Sequence, residues 1–275
     1  MIKLLRIKGT EKKEKATHPF WVIVQKEISD HVRSWRFIIL ITIITLTCIG
    51  SVYTAFTALE QAVRAGNVEG SFFFLKIFTL SDGSLPSYVV FISFLGPLLG
   101  ISLGFDAINS EHSRGTLSRV LAHPIHRDYL INAKFTAALI LIAVLLLALA
   151  FMVLGAGLIF IGIPPTPEEF LRIILFTLVG VVYIALWLNL SILFSIRFKQ
   201  SATSALAGIA VWLFFAVFYP LIINLVAKSM QPSQFASAKY VYFYEKLMFS
   251  LRQLMPNQVF SEATGALLTP SVRSL

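Results

Sequence analysis

Asp106-Ala-Ile-Asn-Ser-Glu-His-Ser-Arg-Gly-Thr-Leu-Ser-Arg-Val-Leu-Ala-His-Pro-Ile-His-Arg-Asp-Tyr-Leu-Ile-Asn-Ala-Lys134 lies between two uncharged apolar runs, residues 87–105 and 135–163. A helix needs about 20 apolar residues to cross roughly 30 Å of hydrocarbon, so both runs are long enough to span a bilayer. The polar stretch then joins two spans at one membrane face. It is interrupted by Gly115 and Pro124 and carries Glu111, Arg114 and Arg127. A charged, helix-punctuated loop in this place is where a soluble partner can grip a membrane subunit.

Three further runs qualify as spans: residues 37–59, 173–196 and 202–227. Bare backbone groups are not tolerated in lipid, so all five runs are expected to be helices. Composition agrees. The chain of 275 residues is 57% hydrophobic and 13% charged, against about 25% charged in soluble domains. The fold class is an all-α polytopic membrane protein. A net charge of +9 needs no nucleic acid to explain it, because inner loops retain Lys and Arg. With the N-terminus inside, segments 1–36, 106–134 and 197–201 hold fifteen Lys/Arg and the longer outer segments hold eight. That bias predicts a cytoplasmic N-terminus in a plasma or inner membrane. The lone Cys48 permits no intrachain disulfide. The first apolar run is too long and too late for a cleavable signal peptide.

Residues 1–18 form a charged cytosolic N-terminus. Residues 19–35 read as an amphipathic helix: Trp21, Val24, Ile28, Val32 and Trp35 recur at three and four residues, while Lys26, Glu27, Asp30 and Arg33 fall away from that stripe. Two readings fit, an interfacial helix with tryptophans at headgroup level or a helix packed on another. The direct run into the first span favours the interface. Residues 60–86 form an outer loop whose patch Phe72-Phe-Phe-Leu75 either dips into the leaflet or packs on neighbouring spans. Pro167-Glu-Glu-Phe opens the fourth helix, with Pro and acids in its first turn. Residues 228–275 are read as an outer region with helical pieces.

Candidate chemistry is sparse. There is no Gly-x-x-x-x-Gly-Lys-Ser/Thr phosphate loop and no His-Glu-x-x-His. His112, His123 and His126 lack a completing Cys or carboxylate, so no metal site is expected. Charges within the spans are nearly absent, which argues against a proton-coupled transporter. The spans do hold Thr42, Thr45, Thr47, Thr54, Thr57, Asn189 and Asn224, either lining a polar path or bonding between helices. Gly155 and Gly157 allow close helix approach, and Pro97 and Pro220 can kink the second and fifth helices.

Two motifs resemble those of ABC-2 type transporter permeases. Lys26-Glu27-Ile-Ser-Asp-His-Val-Arg-Ser34 is similar to that family's Lys-Glu-containing elbow helix. Glu111-His-Ser-Arg-Gly-Thr-Leu117, followed by Pro124, Arg127 and Lys134, is similar to its Glu-x-x-x-Gly-Thr-Leu…Pro-Ile-x-Arg…Lys-Phe pattern. Within the family, Gly-Pro-Leu-Leu-Gly-Ile-Ser-Leu-Gly-Phe-Asp-Ala-Ile108 most resembles membrane subunits of transporters serving nitrous oxide reductase maturation. The resemblance implies a type V exporter-like transmembrane fold with an interfacial elbow helix (Trp21, Lys26, Glu27 and Trp35). It implies a cytosolic ATPase partner that carries the ATP and magnesium, and a second permease, as a homodimer. It places ATPase coupling at Glu111, Arg114, Gly115, Thr116, Leu117, Pro124 and Arg127. A sixth span is expected beyond the last residue.

The function this implies is the permease subunit of an ATP-driven exporter, with no catalytic site of its own. The alternatives are a membrane assembly or maturation factor, and a nucleotide-independent channel or secondary transporter. The first would need a catalytic or docking cluster at the membrane face, and the second would need ionisable groups within the spans.

Overall fold

The computed structural model describes residues 19–64, 72–113, 115, 127–162, 164–233 and 237–270. Among them regular structure is helical, with no strand. The elements are α1 (Pro19–Val32), α2 (Trp35–Arg64), α3 (Phe73–Thr79), α4 (Tyr88–Gly104), α5 (Asn109–Ser113), α6 (Arg127–Ile161) and α7 (Pro167–Arg197). After them come α8 (Ser201–Leu213), a π-helical turn (Phe214–Phe218), α9 (Tyr219–Ser229), α10 (Ala238–Gln253) and α11 (Pro256–Leu268). Five stretches are long and apolar enough to cross a membrane: Trp35–Arg64, Tyr88–Glu111, Asp128–Ile161, Pro167–Arg197 and Ser201–Ser229.

Local chemistry explains the boundaries. Thr166 and Glu169 form a reciprocal capping box at the start of α7, with Pro167 in the first turn. The same Glu169 carboxylate, 2% exposed, also accepts a 3.0 Å bond from the Phe74 N–H. One acid thus satisfies orphan donors of two helices, α7 and the short α3. Pro220 cannot donate to the carbonyl one turn back, and the backbone widens into the π turn immediately before α9.

The central contact is the seam between α4 and α7. Gly96, Gly100 and Gly104 recur every four residues along one face of α4. A Cβ at Gly100 would stand 2.7 Å from the Ile184 carbonyl oxygen, and one at Gly104 would stand 2.9 Å from that of Leu188. No side chain fits between these backbones. Small residues at four-residue spacing allow this approach, which supplies packing where lipid offers no hydrophobic drive. Hydrogen bonds cross the same seam. Ser191 Oγ donates to the Ile101 carbonyl at 2.9 Å, and the Tyr183 hydroxyl donates to that of Ser93, also at 2.9 Å.

Around this seam Tyr88, Phe78, Leu75, Leu99, Ile142 and Trp187 are fully buried. The Phe72–Leu75 patch belongs to this core: α3 buries Phe74, Leu75, Ile77 and Phe78. Gly157 of α6 receives Phe74, whose ring would lie 2.8 Å from an added Cβ, whereas Gly155 faces nothing within 4 Å. The segment after α10, read from sequence as part of an outer region, also packs inside. Phe260 of α11 stacks on Tyr183 at 4.4 Å and is 2% exposed. Most hydrogen bonds of the α2 threonines stay within the helix, although Thr57 also donates to Asp82 between α3 and α4 at 2.9 Å. Thr42, Thr47 and Thr54 donate to carbonyls three or four residues back in their own helix, and Asn189 does the same in α7. Apolar side chains such as Leu46, Val144, Ile159, Val182, Leu206 and Leu225 stand exposed on the outer surface of the bundle. On a membrane protein such a belt faces lipid.

Gly100→Ala is expected to lower stability by about 1–3 kcal/mol, because the methyl meets backbone on both sides. Gly208→Ala, whose Cβ meets only the flexible Ile101 side chain at 3.1 Å, should cost clearly less. Thermal unfolding of the two variants in detergent makes the comparison.

Candidate functional site

At one end of the bundle, charged groups from three elements converge. In α1 the residues facing the bundle are Val24, Glu27, Ile28 and His31, not the tryptophan stripe. Glu27 is 6% exposed, whereas Trp21 is 52% and Trp35 77% exposed. Thus Glu27, read from sequence as lying off the apolar face, points inward. Trp21, Val32 and Trp35 point out, while Val24 and Ile28 pack. The physical reason is the partner surface. The first turns of α6 present Ala133 and Ala137 to Val24, so α1 comes close, and Lys134 between them supplies the counter-charge that makes burying a carboxylate tolerable.

Lys134 is itself buried, with a side-chain exposure of 6%. Its Nζ lies 2.9 Å from Glu27 Oε1 of α1 and 2.9 Å from Glu111 Oε1 of α5. Lys26 adds a second cation on Glu27 at 2.9 Å and also meets Asp30 at 3.2 Å. Burial alone would raise the Glu27 carboxyl; Lys134 and Lys26 outweigh it and hold the group below its ordinary value. His31, half-buried beside them, is held below its usual value. Burial is the main cause; Glu27 and Asp106 oppose the shift, and Lys134 and Arg36 add to it.

A second pair ties α2 to the same region. Arg36 bonds Asp106 at 2.6 Å and lies 5.0 Å from the centre of the Phe105 ring. Between the two pairs opens a cleft of about 640 Å³, lined by residues that include Lys26, His31, Arg36, Asp106, Glu111 and Lys134. The α5 turn that carries Glu111 is anchored from the far side. The backbone N–H groups of Ile108 and Asn109 donate to Ser195 Oγ at 2.9 and 3.2 Å. Ser201 Oγ donates to Asn109 Oδ1 at 2.9 Å. The α5 turn is thus tied to α1 and α6 through Lys134, and to α7 and α8 through Ser195 and Asn109.

Of the residues singled out from sequence, Lys26, Glu27, Glu111 and Lys134 are brought together here. Gly115 follows α5 with φ +66°, a left-handed conformation that glycine adopts without strain. Arg127 opens α6, and its side chain lies outside the described residues, as does that of His112. Arg114, Thr116, Leu117, Pro124, His123 and His126 lie wholly outside them. Among the described residues no group of three His, Cys, Asp or Glu is placed to hold a metal. Sequence reasoning missed the Arg36–Asp106 pair and the anchoring roles of Ser195 and Asn109. Only the isolated charges at the ends of apolar runs signalled the first; single serines and an asparagine gave no signal for the second.

The architecture defines a multi-pass, all-α membrane protein with a polar junction at one end of its spans. Its sequence from residue 21 to 273 matches the model of the ABC-2 family transporter proteins, and the chain belongs to that family. It is 26% identical over 209 residues to a probable ABC transporter permease protein NosY of Pseudomonas aeruginosa, a match covering 73% of this chain and 68% of that protein. It is also 26% identical over 216 residues to a probable NosY permease of Stutzerimonas stutzeri, covering 74% and 68%. The chain is thus an ABC transporter permease of NosY-like kind.

Lys134→Met should destabilise the protein by roughly 3–5 kcal/mol, because it leaves two buried carboxylates without their shared cation. The acid side of the stability profile follows from Glu27 and His31. Both are held below their ordinary values, so both bind more protons when unfolded, and stability falls as pH drops. The His31 contribution fades first, below its ordinary value of 6.5, and that of Glu27 below 4.5. The melting temperature of the detergent-solubilised protein should therefore fall from pH 7.5 to 5.5, and His31→Gln should flatten that slope.

Proposed function

We propose that this chain is the membrane subunit of an ATP-driven exporter, coupled to a separate cytosolic ATPase through the α5–α6 connection. In this reading the chain itself hydrolyses nothing, and ATP and magnesium sit on the partner. The observation that carries it is the Lys134 bridge. One buried ammonium joins α1, α5 and the start of α6, directly beside the Gly115 turn. A push on that turn is transmitted to three elements at once, because separating any of them exposes an unpaired buried charge.

The positive bias of the segments on this side supports a cytoplasmic N-terminus and a plasma or inner membrane location. The exposed Trp21 and Trp35 support an α1 lying at the headgroup level of that face, where an indole ring is wet at one end. Export and pairing with a second copy are what the family resemblance implies. The exposed apolar faces of α8 and α9 offer surface for a second permease. By resemblance, Glu111, Arg114, Gly115, Thr116, Leu117, Pro124 and Arg127 form the contact with the ATPase, with Lys26 and Glu27 as the elbow side of the junction.

The test is co-expression with a candidate ABC ATPase from the same genome, followed by affinity purification and measurement of ATP hydrolysis. Gly115→Trp is expected to weaken co-purification at least about tenfold, equivalent to roughly 1.4 kcal/mol of interface. Gly115→Asn, which tolerates the left-handed conformation, should retain it. Co-purification that both variants leave intact would overturn the assignment of this loop. If no ATPase is retained by the unaltered chain, the assembly-factor reading takes its place.

A further inference from the structure

We propose that a chamber in the side of the bundle is a binding site for a small neutral solute bearing a hydrogen-bond acceptor. It lies between α4, α7, α8, the π turn and α11, with half-exposed Val90 and Phe94 at its mouth. This deepens the permease reading and rests on it: the chamber is where a passing solute would rest. Ser93, Tyr183, Trp187, Trp212, Phe215 and Asn257 line a space of about 120 Å³. One water needs only about 10–15 Å³. Trp187 lies ten residues from the end of α7 at Arg197, and Trp212 eleven from the start of α8 at Ser201. Both are therefore about 15 Å along their helices, half of the roughly 30 Å hydrocarbon depth.

Three irregularities meet there. The first is the Trp187 indole N–H. Its residue is 2% exposed; the Tyr183 hydroxyl is its hydrogen-bonding neighbour, but the contact falls short of a regular hydrogen bond. A buried donor held only by a poorly aligned contact is under-satisfied, so a better-placed acceptor is favoured. The second is Pro97, which has no N–H and frees the Ser93 carbonyl one turn back. Tyr183 spends its proton on that carbonyl at 2.9 Å, and Ser93 Oγ spends its own on Asn257 Oδ1 at 2.5 Å. The donors left to a ligand are the Trp187 N–H and the Asn257 amide. The third is the π turn, which supplies Phe215 and Ala216 to the wall. Such turns forgo regular helical bonding and recur at functional sites.

The lining also states what is excluded. None of its side chains is ionisable near neutral pH, so a charged solute would lose its hydration without compensation. Trp212, held edge-on to Phe94 at 4.9 Å, and Phe215 provide flat polarisable walls. The ligand class is therefore a neutral molecule of a few heavy atoms with an oxygen or sulfur acceptor.

The experiment uses the full chain labelled with 5-fluorotryptophan in lipid nanodiscs and read by fluorine NMR. Acetone is the neutral acceptor probe and potassium nitrate the anion control. The four tryptophans divide cleanly, with Trp187 and Trp212 at the chamber and Trp21 and Trp35 at α1. Acetone should shift the chamber pair saturably and leave the α1 pair unmoved. Ala216→Leu, which fills the chamber, and Asn257→Leu, which removes a donor, should each weaken that response about tenfold. Linear shifts common to all four signals, saturation unaltered in both variants, saturation by nitrate alone, or no response to either probe would each overturn the site. No ATPase is present in this measurement. Acetone binding in a chain that retains no ATPase would keep the site and remove transport. An ATPase complex without the acetone response would do the reverse.

Discussion

At Gly100 an added Cβ would stand 2.7 Å from the carbonyl oxygen of Ile184, and the rest of the bundle is arranged around that constraint. With α4 and α7 in backbone contact, the large side chains are pushed to the flanks. Tyr88, Phe78, Phe176 and Phe260 fill one side as an aromatic cluster, and on the other Ile101 and Phe94 of α4 meet Gly208 and Trp212 of α8. Lipid tails compete with apolar side chains on equal terms, so only close packing and satisfied polar groups distinguish this arrangement from separated helices. Ser191 and Tyr183 bonding across the seam to carbonyls of α4 meet both requirements.

The seam also links the two ends of the functional argument. Ser195 continues the row of α7 residues that face α4 and accepts the N–H groups of Ile108 and Asn109. The α5 turn is thus an extension of the same contact, and Glu111 is delivered to Lys134 from a rigid base. A buried ion pair adds little net stability; its value here is geometric, since Lys134 must sit where both Glu27 and Glu111 can reach it. The chamber lies on the same pair of helices about half the bilayer away.

The sequence by itself determined the class of this protein. Five uncharged runs of spanning length admit one secondary structure, because hydrocarbon cannot satisfy open backbone groups. The start of α7 at Pro167 and the turn at Gly115 were also legible, being written in adjacent residues. Lys26, Glu27, Glu111 and Lys134 were marked as members of motifs resembling those of the family, without any sign that they meet.

Tertiary structure decided which of those charges meet, and which face of α1 is buried. The apolar stripe at helical spacing set Trp21 and Trp35 toward the headgroups and left Glu27 off it. Glu27 is nevertheless buried, because a lysine on a different helix, more than a hundred residues away in sequence, supplies its counter-charge. In the same way, the glycines at 96, 100 and 104 acquire meaning only when α7 lies against them. α11 enters the core because Phe260 finds Tyr183, and the Trp187 indole N–H is left with only a poor contact to Tyr183 where the lining leaves a gap around it. Periodicity records what one helix can hide, whereas burial of a charge, a carbonyl or an indole N–H depends on the atom brought opposite it by another helix.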